Sequence, residues 1–331
     1  MEKKIVTPTR RITLFALFAV FIAILCYVVI PHNEELERPV TEQNSLVNEA
    51  ENTGDPLLKL SDSEIEDFED GDGKCGYKLK STGEVIIPAK YDATWNFREG
   101  LAQVRLNGKF GFIDKTGKEV IPLKYDNVDF FNEGLAPVAL GAVENLNGKY
   151  GFIDKDGNEV IPIKYDFALA FNEGLAVVEL NKKMGFIDKT DHVVIPLKYD
   201  WAYSFHDGLA CVKLDGKYGF IDKEGGVVIP LKYDWASSFS EGLADVELNG
   251  KYGFIDKTDS VVIALKYDFA YSFSNGLACV KLNNKYGYVD KTGKEVILLK
   301  YDDAQNFYEG KARVYLNGEE FYIDKNGNRI E

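Results

Sequence analysis

Two sets of aspartates recur along the chain. One closes the phrase Gly-Phe-Ile-Asp and its variants, at Asp114, Asp154, Asp188, Asp222, Asp256, Asp290 and Asp324. The other closes Lys-Tyr-Asp, at Asp92, Asp126, Asp166, Asp200, Asp234, Asp268 and Asp302. Carboxylates can move protons or hold cations, but an active site needs one or two of them, positioned. Here one stands in every copy, and aspartates at strand ends accept local backbone bonds in turns. Both sets are therefore expected to be structural. Asp154-Lys155-Asp156-Gly157-Asn158-Glu159 places oxygen ligands at alternate positions. A calcium loop needs more of them and a bidentate Glu about twelve residues from its start, so a hairpin turn is expected instead. The histidines, His32, His192 and His206, lack metal-ligand spacing. His206 with Cys211 resembles a nucleophile and its base. The counterparts of Cys211 are Gln103, Val177, Asp245 and Cys279, which is how a tolerant strand position behaves. No GxSxG, HExxH, P-loop or dinucleotide fingerprint occurs. No catalytic residue, metal or cofactor is expected, and the chain reads as a non-enzyme.

The more informative positions are those where the copies disagree. Directly after Lys-Tyr-Asp stand Ala93, Asn127, Phe167, Trp201, Trp235, Phe269 and Asp303. Two residues further on are Trp95, Asp129, Leu169, Tyr203, Ser237, Tyr271 and Gln305. Large aromatics on one rim could stack on sugar rings or grip a peptide, because aromatic anchors dominate binding hot spots. The plainer reading is that they fill gaps between neighbouring sheets. Phe167, Trp201, Trp235 and Phe269, with Trp95, Tyr203 and Tyr271, are the candidate ligand-binding residues.

These residues ride on one repeating unit. A phrase of the type GKYGFIDKTG recurs with its central glycine at Gly76, Gly111, Gly151, Gly185, Gly219, Gly253 and Gly287, and Glu320 is read at that place in a final copy. Most spacings are 34 residues, and an insertion near Gly141–Asn145 stretches one of them. KYDxxxxF and EGLAxVxL recur between these glycines. In Leu243-Ala244-Asp245-Val246-Glu247-Leu248, apolar residues alternate with acids, a period-two strand. Asn249-Gly250 predicts a type I′ hairpin into a second strand, Tyr252–Asp256. Segments such as Glu119–Pro122 form a third, which stops at the proline or runs along an edge. A shorter fourth is expected over Tyr233–Phe239. Adjacent apolar pairs such as Phe254-Ile255 require both sheet faces to be buried. The expected fold is all-β: tandem antiparallel repeats of about 34 residues as in a β-propeller, with an open β-superhelix as the alternative.

The residues Gly216-Lys217-Tyr218-Gly219-Phe220-Ile221-Asp222-Lys223, Val228-Ile229-Pro230, Lys232-Tyr233-Asp234, Phe239 and Glu241-Gly242-Leu243-Ala244 resemble the WG (KWG) repeat family of bacterial proteins. The namesake Trp-Gly appears here as Tyr-Gly, Phe-Gly, Met184-Gly185 or Cys75-Gly76. The resemblance implies a β-rich repeat domain, often on exported or surface proteins, and implies no catalytic activity.

Composition narrows the partners. A net charge of −14 over 331 residues argues against nucleic acid. The four cysteines, Cys26, Cys75, Cys211 and Cys279, form no dense framework, and the last two are not expected to pair. Ile12–Ile30 is uncharged and long enough to cross a hydrocarbon core of roughly 30 Å. Lys3, Lys4, Arg10 and Arg11 precede it, and Glu34, Glu35 and Glu37 follow. This asymmetry predicts a cytoplasmic N-terminus (1–11), an uncleaved anchor (12–30), an acidic, disordered linker (31–73) and an outward-facing repeat domain (74–331). The chain reads as a single-pass membrane protein whose extracytoplasmic surface binds a protein or a cell-wall polysaccharide. The alternatives are a structural surface protein, or a hydrolase or lyase with its site in a channel. Protease added to intact cells should remove the repeat domain and leave the anchor. Full protection, where a general protease reaches the outer membrane face, would reverse the topology.

Overall fold

The computed structural model describes residues 55–141 and 148–330. The expected anchor at 12–30, the 1–11 segment and residues 31–54 of the expected linker lie outside them. Among the described residues no helix is long and apolar enough to cross a membrane. Contacts divide the chain into two compact units, one running to Gly250 with Ile255–Ser260, the other comprising Lys251–Phe254 and the chain from Val261 onward.

Apart from the short 3-10 turns Pro56–Lys59 and Asp62–Glu64, every regular element is a β-strand. The larger unit begins with a three-stranded sheet, Ile65–Glu69, Cys75–Leu79 and Val85–Tyr91. Its first strand falls within the segment read as linker. Ile-Glu-Asp-Phe-Glu carries too little apolar alternation to stand out, yet Ile65 is buried and the strand pairs along its whole length with Cys75–Leu79. The repeat sheets that follow have four antiparallel strands each. In one of them the order is Trp201–Ala202, Ala210–Leu214, Lys217–Ile221, Val227–Tyr233. The expected hairpin is present, with Asn249 and Gly250 both at positive φ, 54° and 74°.

One expectation about strands is corrected, and one alternative is decided. Tyr233–Phe239 is not one strand: Tyr233 ends the outer strand of one sheet, and only Trp235–Ala236 pairs in the next. The Val-Ile-Pro segment does not stop at its proline. Val227–Tyr233 runs through Pro230 as the edge strand, the other outcome allowed from sequence.

It can do so because it bulges. Tyr218 faces Tyr233 and Phe220 faces Ile229, so Gly219 alone opposes Pro230, Leu231 and Lys232. The bulged backbone folds over the glycine. A Cβ on Gly219 would lie 2.6 Å from the Ile229 carbonyl oxygen and 2.8 Å from Leu231 Cα. The same overlap, at 2.5–2.8 Å, recurs at Gly76, Gly111, Gly151, Gly185, Gly253 and Gly287. The glycine is required by this close approach, not by an unusual φ. Pairing also corrects the reading of the final copy. Val314 faces Phe321 as Val280 faces Gly287, so Phe321, not Glu320, takes the glycine's place. Among the described residues, Arg329–Ile330 pairs outside that strand, with Ile323 and Tyr322.

Both faces of the sheets are buried, as the adjacent apolar pairs required: Phe220 and Ile221 are fully covered. The repeated packing element is an aromatic pair between successive sheets. Phe152–Phe171, Phe186–Phe205 and Phe220–Phe239 have centroids 4.9, 4.9 and 4.8 Å apart, and Phe254–Phe273 and Tyr288–Phe307 repeat it in the smaller unit at 4.8 Å. Such pairs add about 0.5–1.5 kcal/mol beyond the area they bury.

Gly219→Val should destabilise by about 3 kcal/mol or more, since backbone must move to admit the side chain. Asp222→Ala removes bonds from the Glu224 and Gly226 amides in an exposed turn and should cost about 1 kcal/mol. Urea melts of both variants check the order; a larger loss at Asp222 would refute the bulge account.

Candidate binding surface

The two sets of carboxylates do different work. Those of Gly-Phe-Ile-Asp close local turns, as expected. Asp256 Oδ1 accepts from the Thr258 and Ser260 amides, at 2.8 and 3.0 Å, and from the Thr258 hydroxyl. Asp154 accepts from the Asp156 and Asn158 amides and from Asn158 Nδ2, so the faint calcium-loop pattern is a turn.

The Lys-Tyr-Asp carboxylates are not local, which corrects their reading as turn residues. Each joins two sheets. Asp200 Oδ1 takes Lys183 Nζ at 2.6 Å from the preceding sheet, and Oδ2 takes the Asp215 amide at 2.8 Å from the hairpin tip of its own sheet. Lys74–Asp92–Asn107, Lys109–Asp126–Gly141, Lys149–Asp166–Asn181, Lys217–Asp234–Asn249, Lys251–Asp268–Asn283 and Lys285–Asp302–Asn317 repeat this bridge. The lysine bond, followed by smaller contributions that include the tip amide, holds Asp166, Asp200, Asp234, Asp268 and Asp302 below the ordinary carboxylate range.

A second set of bridges escaped the sequence reading. Glu133 accepts the Gly174 amide at 3.1 Å through both oxygens and pairs with Lys189 at 3.2 Å. Glu173 does the same with the Gly208 amide and Lys223. The regular Glu-Gly and Asp-Lys phrases were the available signal. Their partners are more than a repeat apart, so periodicity alone did not join them.

The candidate aromatics lie close to the hairpin tips. Phe167, Trp201, Trp235, Phe269, Trp95 and Tyr271 are half-buried, while Tyr203 is buried. Several lean on the residue that precedes the glycine in the sheet before: Tyr150 on Phe167 at 5.8 Å, Tyr218 on Trp235 at 5.2 Å, Tyr252 on Phe269 at 5.3 Å. Trp201 packs into one core cluster with Met184, which holds that place in its repeat. Trp95 instead meets Phe110 of its own sheet, and Tyr203 and Tyr271 stand edge-on to Trp201 and Phe269 at 6.0 and 4.8 Å. Phe167, Trp201, Trp235 and Phe269 thus pack between sheets and keep part of their surface in solvent. Lys213, paired with Trp201 across the strands, lies over the Tyr218 ring at 5.0 Å; burial, then nearby Cys211, pushes the Tyr218 phenol up to about 12.

His206 and Cys211 are directed to different partners. His206 Nδ1 lies 3.3 Å from Asn172 Nδ2, and the buried Cys211 thiol points to the Ala236 carbonyl oxygen at 3.5 Å. Cys75, Cys211 and Cys279 are free thiols. Asp129 keeps part of its surface in water, yet loss of hydration raises its carboxyl against the opposing pull of the Phe130 amide and Arg98.

The repeat pattern described as WG containing repeat matches residues 80–110, 110–142, 150–183, 184–218, 218–252, 252–286 and 286–319. The chain belongs to the WG repeat family. In this WG-repeat domain Tyr150, Met184, Tyr218 and Tyr252 hold the namesake Trp position and pack on the next sheet. No curated protein matches the chain. Similar solved structures include a eukaryotic initiation factor, 12% identical over 80% of this chain and 78% of that one, with a TM-score of 0.49. Dihydro-heme d1 dehydrogenase NirN in complex with DHE is 14% identical over 84% and 73%, TM-score 0.45. The Dos1 propeller is 14% identical over 81% and 76%, TM-score 0.38.

The bridging carboxylates make WG-repeat stability depend on acid. Asp200 and Asp234 bind protons less readily folded than unfolded, so the unfolded chain takes them up first as pH falls. Their contribution is complete above the ordinary Asp value of 3.8 and fades below it. Asp200→Asn/Asp234→Asn should melt lower than the parent at pH 7, and the gap should close below about pH 4. A gap that does not change between pH 7 and pH 3 would contradict the bridge.

Proposed function

We propose that the chain is a binding or scaffold module that holds a protein or a cell-wall glycan on its WG-repeat surface. The observation that carries this reading is a division of labour. The repeated charges at the hairpin rim are engaged with one another in Lys–Asp–amide bridges. The residues that vary there, Phe167, Trp201, Trp235 and Phe269, are large half-exposed rings at the same place in consecutive units. Trp95 and Tyr271 extend the aromatic surface, and Tyr203 supports it from beneath. Rings held by packing on one side lose little freedom when a ligand covers the other, which favours anchors.

The uncharged run 12–30, with basic residues before it and acidic ones after, supports display outside a membrane. The same surface would serve an assembly role if its partner were a fixed component of the envelope. A non-enzymatic role fits the carboxylates, which are engaged in turns and bridges.

The full-length protein in detergent should be used to capture ligands from envelope extract and from purified wall polymers. Trp235→Leu keeps a smaller apolar side chain against Tyr218 and removes the indole face. It should cost less than the roughly 3–5 kcal/mol of truncating a buried Trp to Ala, while capture weakens by about 2 kcal/mol if Trp235 is an anchor. Unchanged capture by both Trp201→Leu and Trp235→Leu would remove the aromatic surface from the proposal.

A further inference from the structure

The turn after Gly-Phe-Ile-Asp-Lys comes in two forms. In two repeats its positive-φ residue is an aspartate, Asp191 at 66° and Asp259 at 67°. Each carboxylate reaches the Lys-Tyr pair of the preceding sheet. Tyr165 donates to Asp191 Oδ1 at 2.6 Å, and Lys164 pairs with Oδ2. Tyr233 donates to Asp259 Oδ1 at 2.6 Å, and Lys232 pairs with Oδ2 at 2.5 Å. The protein thus shows twice that a Tyr hydroxyl and a Lys ammonium at this place grip one carboxylate bidentately.

Between those two repeats lies a third, with the donors but not the acid. Lys198-Tyr199 stands where Lys164-Tyr165 and Lys232-Tyr233 stand, and the turn residue is Gly225, at φ 82°. Tyr199 is 1% exposed. Its hydroxyl is buried and has no hydrogen-bond partner among the described residues. Lys198 lies over the Tyr199 ring at 5.1 Å, as its counterparts do, but is exposed and joins none of the ion pairs found among the described residues. A Cβ on Gly225 would meet nothing nearer than Ile195 side-chain carbons at 3.5 Å. Glycine also holds this turn position at Gly117, Gly157, Gly293 and Gly327, where the nearest atoms lie at 3.3–3.4 Å. Of the tyrosines that face a glycine turn, Tyr199 alone among the described residues has a buried, unpartnered hydroxyl.

We propose that Tyr199 Oη, Lys198 Nζ and the space beside Gly225 form a binding site for the carboxylate of a ligand, which supplies in trans the group that Asp191 and Asp259 supply in cis. The site is distinct from the aromatic surface and does not depend on it. An unpaired O–H beside an unpaired ammonium selects an anion with two acceptor oxygens. The sister sites set the geometry for a planar carboxylate.

The probe is acetate, added to full-length protein carrying ring-13C tyrosine, with ionic strength held constant by chloride. The Tyr199 resonance is identified by its loss in Tyr199→Phe. It should shift and saturate with acetate, and Lys198→Ala should raise the half-saturating concentration at least about tenfold, the loss expected for one charge-assisted bond. Gly225→Asp should bring the resonance to its saturated position without acetate and abolish the response. A Tyr199 signal that ignores acetate would mean that the hydroxyl stays closed to ligands, and the proposal would fall. An acetate shift that survives both Lys198→Ala and Gly225→Asp would place the anion elsewhere and would overturn it equally. Neither outcome touches the aromatic reading, which the tryptophan variants test separately.

Discussion

The contact on which the fold rests is backbone against backbone: the bulge of each outer strand lying on the glycine of its neighbour. With a Cβ at 2.5–2.8 Å from backbone atoms, no other residue fits without moving a strand. The bulge lets the chain pass a proline and still end on a buried tyrosine such as Tyr233, and it turns the following aspartate toward the next sheet. It also protects the sheet. An outer strand is an open edge, and a bulge with a proline presents fewer aligned donors to another chain.

Beyond the bulge, three kinds of contact link successive sheets. An aromatic pair such as Phe186–Phe205 fills the core, a Lys–Asp–amide bridge closes the hairpin rim, and a Glu–amide–Lys bridge such as that of Glu173 closes another turn. Exposed ion pairs contribute little singly. Their value here is repetition, and each aspartate also satisfies an amide at a hairpin tip. The repeated charges are committed in this way, and under the proposed binding role selectivity would be left to the positions that vary.

Much of this was legible in the residues. Alternation in Leu243–Leu248, the Asn249-Gly250 turn and the paired apolar residues gave antiparallel sheets buried on both faces. The phrase spacing gave their number. What escaped was register. Tyr233 belongs to one sheet and Trp235 to the next because the chain crosses over at Asp234, and a hydrophobic pattern does not mark such a crossing. The final copy was misplaced by one residue: the three-residue step to Asp324, like the strand pairing, puts Phe321 and not Glu320 at the glycine. Partners were hidden for a related reason. Lys217 and Asp234 are 17 residues apart, and Glu173 and Lys223 are 50 apart. Lengths of that kind follow from how sheets stack, not from local pattern. The candidate aromatics were legible as a row, but that Phe167, Trp201, Trp235 and Phe269 lean on the residue before the glycine of the preceding sheet needed coordinates.

The bridge at the hairpin tip has a further consequence for how such a chain can change. The tip amide that binds Asp126 is that of Gly141, on the near side of the turn, and Lys149, on the far side, keeps its pair with Asp166. The added residues of this repeat fall between those two anchors. A hairpin can therefore lengthen without loosening the sheet that carries it, because the points of attachment lie outside the segment that grows. Loop length on this rim is in effect uncoupled from folding, so new sequence can be tried there, by mutation or by grafting, while the β-scaffold stays the same.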